Sequence, residues 1–368
     1  MRILFICGCL EPSKDGVGDY TRRIAGKLGA MGHQISLVAL NDRFLTNCLE
    51  ELQDGDNTPI PVLRLPSSWK HQARLTKAKE WIAIKQPDWL SLQFVPYAFH
   101  DKGIPFHFAK DFQTLAQAAR KHIMFHELWI GIDHHASIKE KIIGRFQKKI
   151  IKNIIQTLRP TIIHTQSSYY QFLLSEFEPL PSILPLFSNI PLLDTANTKI
   201  PLNYDLHFVV FGNIHHGAAI GNFSADASDF AKRSGNKVFL TLAGSNGPEK
   251  KKWIREWSRH GNPYSDEGRC STEKLSNLFL SATHGISTTP SLLIEKSGAV
   301  TAMIEHGLPI ISLAREWGPK NMPHIAPSII SSKYAIGKFE ECLSSTLNPI
   351  NTTHDVACQL LLDLSKFD

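Results

Sequence analysis

Short apolar runs alternate with stretches of helical spacing along most of the chain. Arg2-Ile-Leu-Phe-Ile6 is a strand-length run bounded by Gly8. Tyr20 to Met31 then places apolar residues at Ile24, Leu28 and Met31, and Gln34-Ile-Ser-Leu-Val-Ala-Leu40 is a second apolar run. Strand, helix and strand in that order need a crossover, which joins parallel strands. Further runs at Trp89–Phe94, Ile123–His126 and Ile162–Thr165, with helical stretches between them, extend this to a doubly wound α/β unit. From Leu184 to Asn203 the chain turns irregular and rich in Pro, Asn and Thr, as a linker would. The alternation restarts with runs at Leu206–Phe211, Val238–Ala243, Gly285–Thr288 and Leu308–Leu313. Two Rossmann-like parallel-sheet domains are expected, residues 1–190 and 204–350, with a cleft between similar halves. Residues 351–368 hold a helix, Asp355 to Leu364, whose apolar face is expected to pack back on the first domain.

A chain of 368 residues is long for one core, which agrees with two domains. Its hydrophobic share of 42% and charged share of 20% fit neither a disordered nor a membrane-embedded class. No apolar run reaches the roughly 18 to 20 residues of a membrane span, and the first residues lack a signal-peptide layout, so a cytoplasmic soluble chain is expected. Six scattered cysteines give no disulfide framework, and the pair Cys7 and Cys9 reads as core packing rather than metal binding.

The formal charge of +6 suits an anionic substrate or an anionic membrane face. Lys139 to Lys152 is the densest basic stretch, with Ile142, Ile143, Phe146, Ile150 and Ile151 near helical spacing. A surface helix with a solvated basic face is the preferred reading, because no Trp or Phe cluster deepens its apolar side. Peripheral contact with the inner face of a membrane is the alternative. Without aromatic-basic interleaving or zinc spacing, nucleic acid is not an expected partner.

In open parallel sheets ligands bind beyond the carboxyl ends of the strands. Five loops qualify. Gly16-Val17-Gly18 opens the first long helix and reads either as a phosphate-approach loop or as a plain strand-to-helix turn. His126, beside Glu127 at a strand end, reads either as a structural residue or as a substrate or acid/base contact. Gly212-Asn213 and the adjacent His215 and His216 follow a strand of the second half, as does Gly244; two neighbouring histidines make a poor metal site, and none is expected. The fifth loop, Glu295-Lys296-Ser297-Gly298, precedes a short apolar helix ended by Gly307 and Pro309. It reads as an anion site in which helix-start amides and the lysine meet a negative ligand. The Asp54-Gly-Asp56 sequence lies in a turn-forming stretch away from the strand ends and is discounted as a metal site.

The order of these elements resembles the GT-B glycosyltransferases, and within them the retaining, family-4-like group that uses a nucleotide-diphosphate sugar. The likeness spans most of the chain. Arg2–Ile6 with Gly16–Thr21 is similar to the family's first strand and glycine loop, and His126 to a histidine that faces the transferred sugar. Phe208-Val-Val-Phe-Gly212 and Leu240–Gly247 resemble its nucleotide-domain strands, and Glu295 through Pro309 its glutamate, glycine turn, helix and G-x-P strand entry. Where the family carries a ribose-contacting glutamate, five residues before the G-x-P glycine, this chain has Ala302. Glu305 lies three residues later, turned by roughly 300 degrees on a helix, and is no simple substitute. The family's Arg/Lys pair for the diphosphate is also missing from its usual place, and Lys296 is expected to supply that charge.

The resemblance implies transfer of a sugar from a nucleotide diphosphate to a hydroxyl of a saccharide, lipid-linked saccharide or small molecule, retention of configuration, and no cofactor or metal. Its rivals are a GT-B protein that binds a nucleotide or glycan without transferring it, and a nucleotide-sugar epimerase of the same fold.

Overall fold

The computed structural model describes residues 1–115, 119–193, 204–320 and 325–367. The predicted linker is thus described as far as residue 193, and its remainder lies outside the described residues. The chain divides into two compact units. The first consists of Met1–Pro185 with the segments beginning at Gly318 and Thr353, and the second of Leu186–Trp317 and Ile325–Thr352.

The first unit runs β1 (Arg2–Cys7), α1 (Gly16–Ala30), β2 (Gln34–Asp42), β3 (Leu49–Asp54), β4 (Pro59–Pro66), α2 (His71–Lys85), β5 (Trp89–Phe94), α3 (Pro96–Phe99), α4 (Phe108–Leu115), β6 (Arg120–Phe125), α5 (Ile138–Leu158), β7 (Ile162–Thr165), α6 (Ser168–Leu174) and β8 (Ser182–Ile183). Its sheet has the order β3-β4-β2-β1-β5-β6-β7-β8. The central strands β1, β5 and β7 are buried almost throughout, as parallel strands covered on both faces must be.

Three expectations need correcting here. Helix α1 begins at Gly16 rather than Tyr20, because Asp15 caps it. Strands β3 and β4 were not expected, and they pair antiparallel, so the first sheet is mixed at that edge. They escaped the hydrophobic pattern for separate reasons. Strand β3 is an edge strand with alternating exposed positions, and β4 carries Pro59 and Pro61 at the end where its pairing with β2 has not begun.

The second unit continues with β9 (Leu206–Asn213), α7 (Ile220–Ser234), β10 (Val238–Asn246), α8 (Lys250–Ser258), β11 (Tyr264–Gly268), α9 (Thr272–Leu280), β12 (His284–Ser287), a 3-10 turn (Ser291–Lys296), α10 (Gly298–Glu305), β13 (Ile310–Ser312) and β14 (Ser332–Lys333). Its six strands are parallel in the order β11-β10-β9-β12-β13-β14. The polar edge strand β11 is the one substantial strand missed in this half. Two apolar clusters form its core, one around Phe208, Phe223, Trp253 and Trp257, the other around Val209, Phe279, Ala302 and Met303.

Helix α11 (Thr353–Ser365) belongs to the first unit, where it packs against α1 and buries Val356, Leu360 and Leu364.

Candidate functional site

Strand register fixes where the second unit can receive a ligand. Val210, Leu242, Ile286 and Ile311 stand in one row across β9, β10, β12 and β13, so the loops after these strands leave from one edge of the sheet. Gly212 and Gly244 lie on that edge, both with positive φ (81° and 92°), a conformation that favours glycine. They also sit against each other: a Cβ on Gly244 would lie 3.2 Å from the Gly212 nitrogen, and one on Gly212 would lie 3.4 Å from the Ala299 Cβ. The start of α10 is thereby packed beside the Gly212 turn, which in turn lies against Gly244. Asn246 fixes this crossing through its side-chain amide, which donates to the Gly212 carbonyl at 2.9 Å. Asn213 is exposed on the same loop, its amide oxygen 3.4 Å from the Ser245 hydroxyl.

Ser297 is the N-cap of α10, accepting from the Val300 amide, while its own N–H donates to the Ile294 carbonyl. Gly298 is exposed, and a Cβ there would meet nothing within 4 Å. The helix start is thus capped at Val300, with Gly298 and the partly exposed Lys296 on its approach. Of the two adjacent histidines, His215 belongs to this edge. Its amide donates to the Thr288 hydroxyl at 2.9 Å, and partial burial together with the charges of Lys296 and Arg315 lowers its imidazole from the ordinary range. His216 is exposed, as His215 also is, and holds Glu249 at 2.9 Å. Arg315 was not singled out from sequence. It follows β13, packs on Gly217, and obeys the same strand-end rule that selected the other loops.

Two acids of this region are committed to holding backbone in place. Glu295 is buried and accepts from both the amide (2.8 Å) and the hydroxyl (2.7 Å) of Ser328. Glu305 is buried and accepts from the Ser188 amide and the Thr352 hydroxyl. Ala302 is fully buried in the second core cluster, so that helix position points inward.

The other sequence candidates are in the first unit. Gly16, Val17 and Gly18 form the first turn of α1 rather than a loop. The Gly18 amide donates to the Asp15 carboxylate at 2.7 Å, so part of this helix start is satisfied from within. Gly18 is required for packing, since a Cβ would lie 2.4 Å from the Cys9 carbonyl oxygen, whereas Gly16 has open space around it. His126 is buried after β6, with its ring edge-on to Tyr20 at 5.0 Å and its Nε2 2.8 Å from the Gln93 side-chain oxygen. Asp54 closes β3, and Asp56 pairs with Arg23 at 2.8 Å, as a structural turn would have it.

No family model matches the sequence, and no curated protein is significantly similar to it. Solved structures do resemble it. HepE of Anabaena in complex with UDP and glucose matches with a TM-score of 0.59 at 13% identity over 100% of both chains. A glycosyltransferase of Rickettsia africae matches with a TM-score of 0.54 at 13% identity, over 99% of this chain and 88% of its own. HepE in complex with UDP-glucose gives 0.53 at 12% identity, over 100% of this chain and 91% of that one. The likeness is one of fold: two parallel-sheet α/β units in succession, as in the GT-B architecture.

Proposed function

We propose that the chain is a glycosyltransferase that binds a nucleotide-diphosphate sugar, of the UDP type, at the carboxyl edge of the second sheet and passes the sugar to a hydroxyl. The observation that carries this reading is the strand-end cluster in which the glycine turns at Gly212 and Gly244 lie beside the start of α10, with Lys296 before that helix and Arg315 packed on Gly217, both cations bearing on the His215 imidazole. Two cations, a helix start and backbone stripped of side chains suit a diphosphate. As the leaving nucleotide gains charge, those cations would stabilise it without need of a metal ion. HepE, which shares the fold, is solved with UDP, with UDP and glucose, and with UDP-glucose, which supports the choice of nucleotide. His126 is assigned to the transferred sugar or the leaving phosphate, and the open space at Gly16 to the approach of a substrate along backbone. Retention of configuration is carried over from the resemblance, and no nucleophile is assigned.

The commitment of Glu295 to Ser328 favours one second reading, a nucleotide-binding protein that performs no transfer. Calorimetric titration with UDP and an assay of UDP release from UDP-sugars separate the two. Lys296→Ala and Arg315→Ala are each expected to weaken UDP roughly tenfold or more, equivalent to the about 1.5–3 kcal/mol of a hydrogen bond to a charged group. His126→Ala should keep UDP binding and lose transfer. Unchanged UDP affinity in Lys296→Ala would place the donor elsewhere, and tight UDP binding with no turnover of any sugar donor would leave the non-catalytic reading.

A peripheral membrane contact belongs to this proposal too. Ile138, Ile142 and Phe146 of α5 are exposed, and Phe106 joins Phe146 edge-on at 5.9 Å. A groove of about 450 Å³ beside them is lined by Ile142 and Phe146 and by Arg145, Lys149 and Lys152, with Glu176 paired to Lys148 on the same lining.

A further inference from the structure

A row of polar side chains crosses the apolar interior of the first unit. Ser91 and Gln93 are two residues apart on β5, and His122 and His164 lie on β6 and β7. All four are buried to within 1% of complete. Asp363 of α11 reaches His164 Nε2 at 3.2 Å, and His164 Nδ1 lies 3.0 Å from His122 Nε2. His122 Nδ1 is 2.8 Å from the Ser91 hydroxyl, which is 2.8 Å from the Gln93 side-chain nitrogen. The Gln93 oxygen, finally, is 2.8 Å from His126 Nε2.

Each bond in this row dictates the direction of the next. Asp363 also accepts from Gln359 and Lys366, and these hydrogen bonds with that from His164 hold its carboxyl well below the usual carboxylate range. An ionised carboxylate has no proton to give, so His164 donates from Nε2. With one proton on the ring, placed on Nε2 by Asp363, His164 offers Nδ1 as an acceptor, and His122 donates to it from Nε2. Burial pushes His122 well below its ordinary value, so it stays neutral, with Nδ1 accepting. The Ser91 hydroxyl supplies that proton, which obliges the Gln93 amide to donate to Ser91 and turn its oxygen towards His126.

We infer that Asp363 is a positioning residue for His126: through this row it fixes the proton of His126 on Nε2 and leaves Nδ1 as the hydrogen-bond-accepting nitrogen. His122, His164 and His126 all take the same tautomer. Three buried strands and a helix from the far end of the sequence thereby set the polarity of one side chain. The consequence for turnover rests on the sugar-facing role proposed for His126, but the tautomer does not.

Long-range 1H–15N spectra of histidine-labelled protein at neutral pH, with the signals assigned by single His→Gln variants, test the proposal without substrate. In the wild type, His122, His164 and His126 are expected each to show one protonated Nε2 and one bare Nδ1. Asp363→Leu removes the acceptor that orients the row, and His126 is expected to populate the Nδ1–H form. Ser91→Ala breaks the row in its middle, and should mix the tautomers at His126 while His164 keeps its Nε2 proton. An Nδ1–H form at any of the three in the wild type overturns the proposal, even should neither variant fold. So does a pure Nε2–H signal for His126 in folded Asp363→Leu. With a UDP-sugar donor, both variants are expected to lower kcat several-fold while leaving KM for the donor within about twofold. Absence of all transfer would count against the glycosyltransferase reading and leave the spectra as the judge of the tautomer.

Discussion

Gly26 shows how much a single missing side chain can decide. A Cβ on Gly26 would lie 1.9 Å from the Gly55 carbonyl oxygen, and one on Gly55 would lie 2.8 Å from the Gly26 Cα. The middle of α1 therefore touches the β3–β4 turn backbone to backbone. Gly26→Ala must push the two apart, and such overpacking typically costs about 1–3 kcal/mol. Gly16 is the internal control, because it begins the same helix with nothing within 4 Å of where a Cβ would stand. Urea denaturation should show Gly26→Ala clearly destabilised and Gly16→Ala within about 1 kcal/mol of wild type. Equal midpoints for the two variants would dispose of the contact. Nothing local marks Gly26 in the sequence, since its partner is a turn residue in a hairpin that the hydrophobic pattern did not reveal.

At the scale of an element, α5 overturns a reason given by the sequence. In the sequence a membrane-docking helix ranks second there, because no aromatic cluster deepens its apolar face. The fold assembles that cluster from a distance, bringing Phe106 from the segment before α4 onto Phe146. The capping box of Ser137 and Glu140 starts the helix, and Ile138, Ile142 and Phe146 remain on its exposed side with Arg145, Lys149 and Lys152 nearby. The protein is expected to sediment with phosphatidylglycerol vesicles and not with phosphatidylcholine vesicles, and less so at high salt. Lys149→Glu with Phe146→Ser should reduce this by tenfold or more, given about 1 kcal/mol per basic residue near an anionic surface. Failure of the wild type to bind anionic vesicles at low salt would remove the membrane from the proposal. Element existence was legible wherever an apolar run or a helical period was long, as in β1, β9 and α5. It was not legible in β3, β4 and β11, where edge exposure or proline breaks the pattern.

For the molecule as a whole, buried histidines set the response to acid. Burial lowers His122, His284 and His306, with His284 brought down to about 4. Their unfolded forms titrate near pH 6.5, so between about 6.5 and 4 the unfolded chain binds more protons. The stability they contribute is complete above about pH 6.5 and is lost as pH falls towards 4, by up to about 3 kcal/mol for His284. Asp15 has the opposite sign, its carboxyl being raised by burial. Unfolding midpoints should therefore fall between pH 7 and pH 4.5, and His284→Gln should flatten that fall. A midpoint that held steady or rose towards acid would contradict the assignment. Of the candidate site, the strand-end rule found the glycine turns and Lys296, because those depend on local order. Arg315 and the row from His126 to Asp363 depend on which strands become neighbours, and that information is spread over the whole chain.

The place of α11 in the first unit bears on the order in which the protein can be finished. His164 waits for Asp363, which lies 199 residues further along the chain. On the ribosome, β1 to β8 emerge before the entire second unit, while the surface that Val356, Leu360 and Leu364 will cover is still open to water. During that interval a buried-to-be imidazole pair and an apolar strip lack their cover. The first unit starts earlier and is completed last, so a nascent chain halted within the second unit would be a natural client for chaperones.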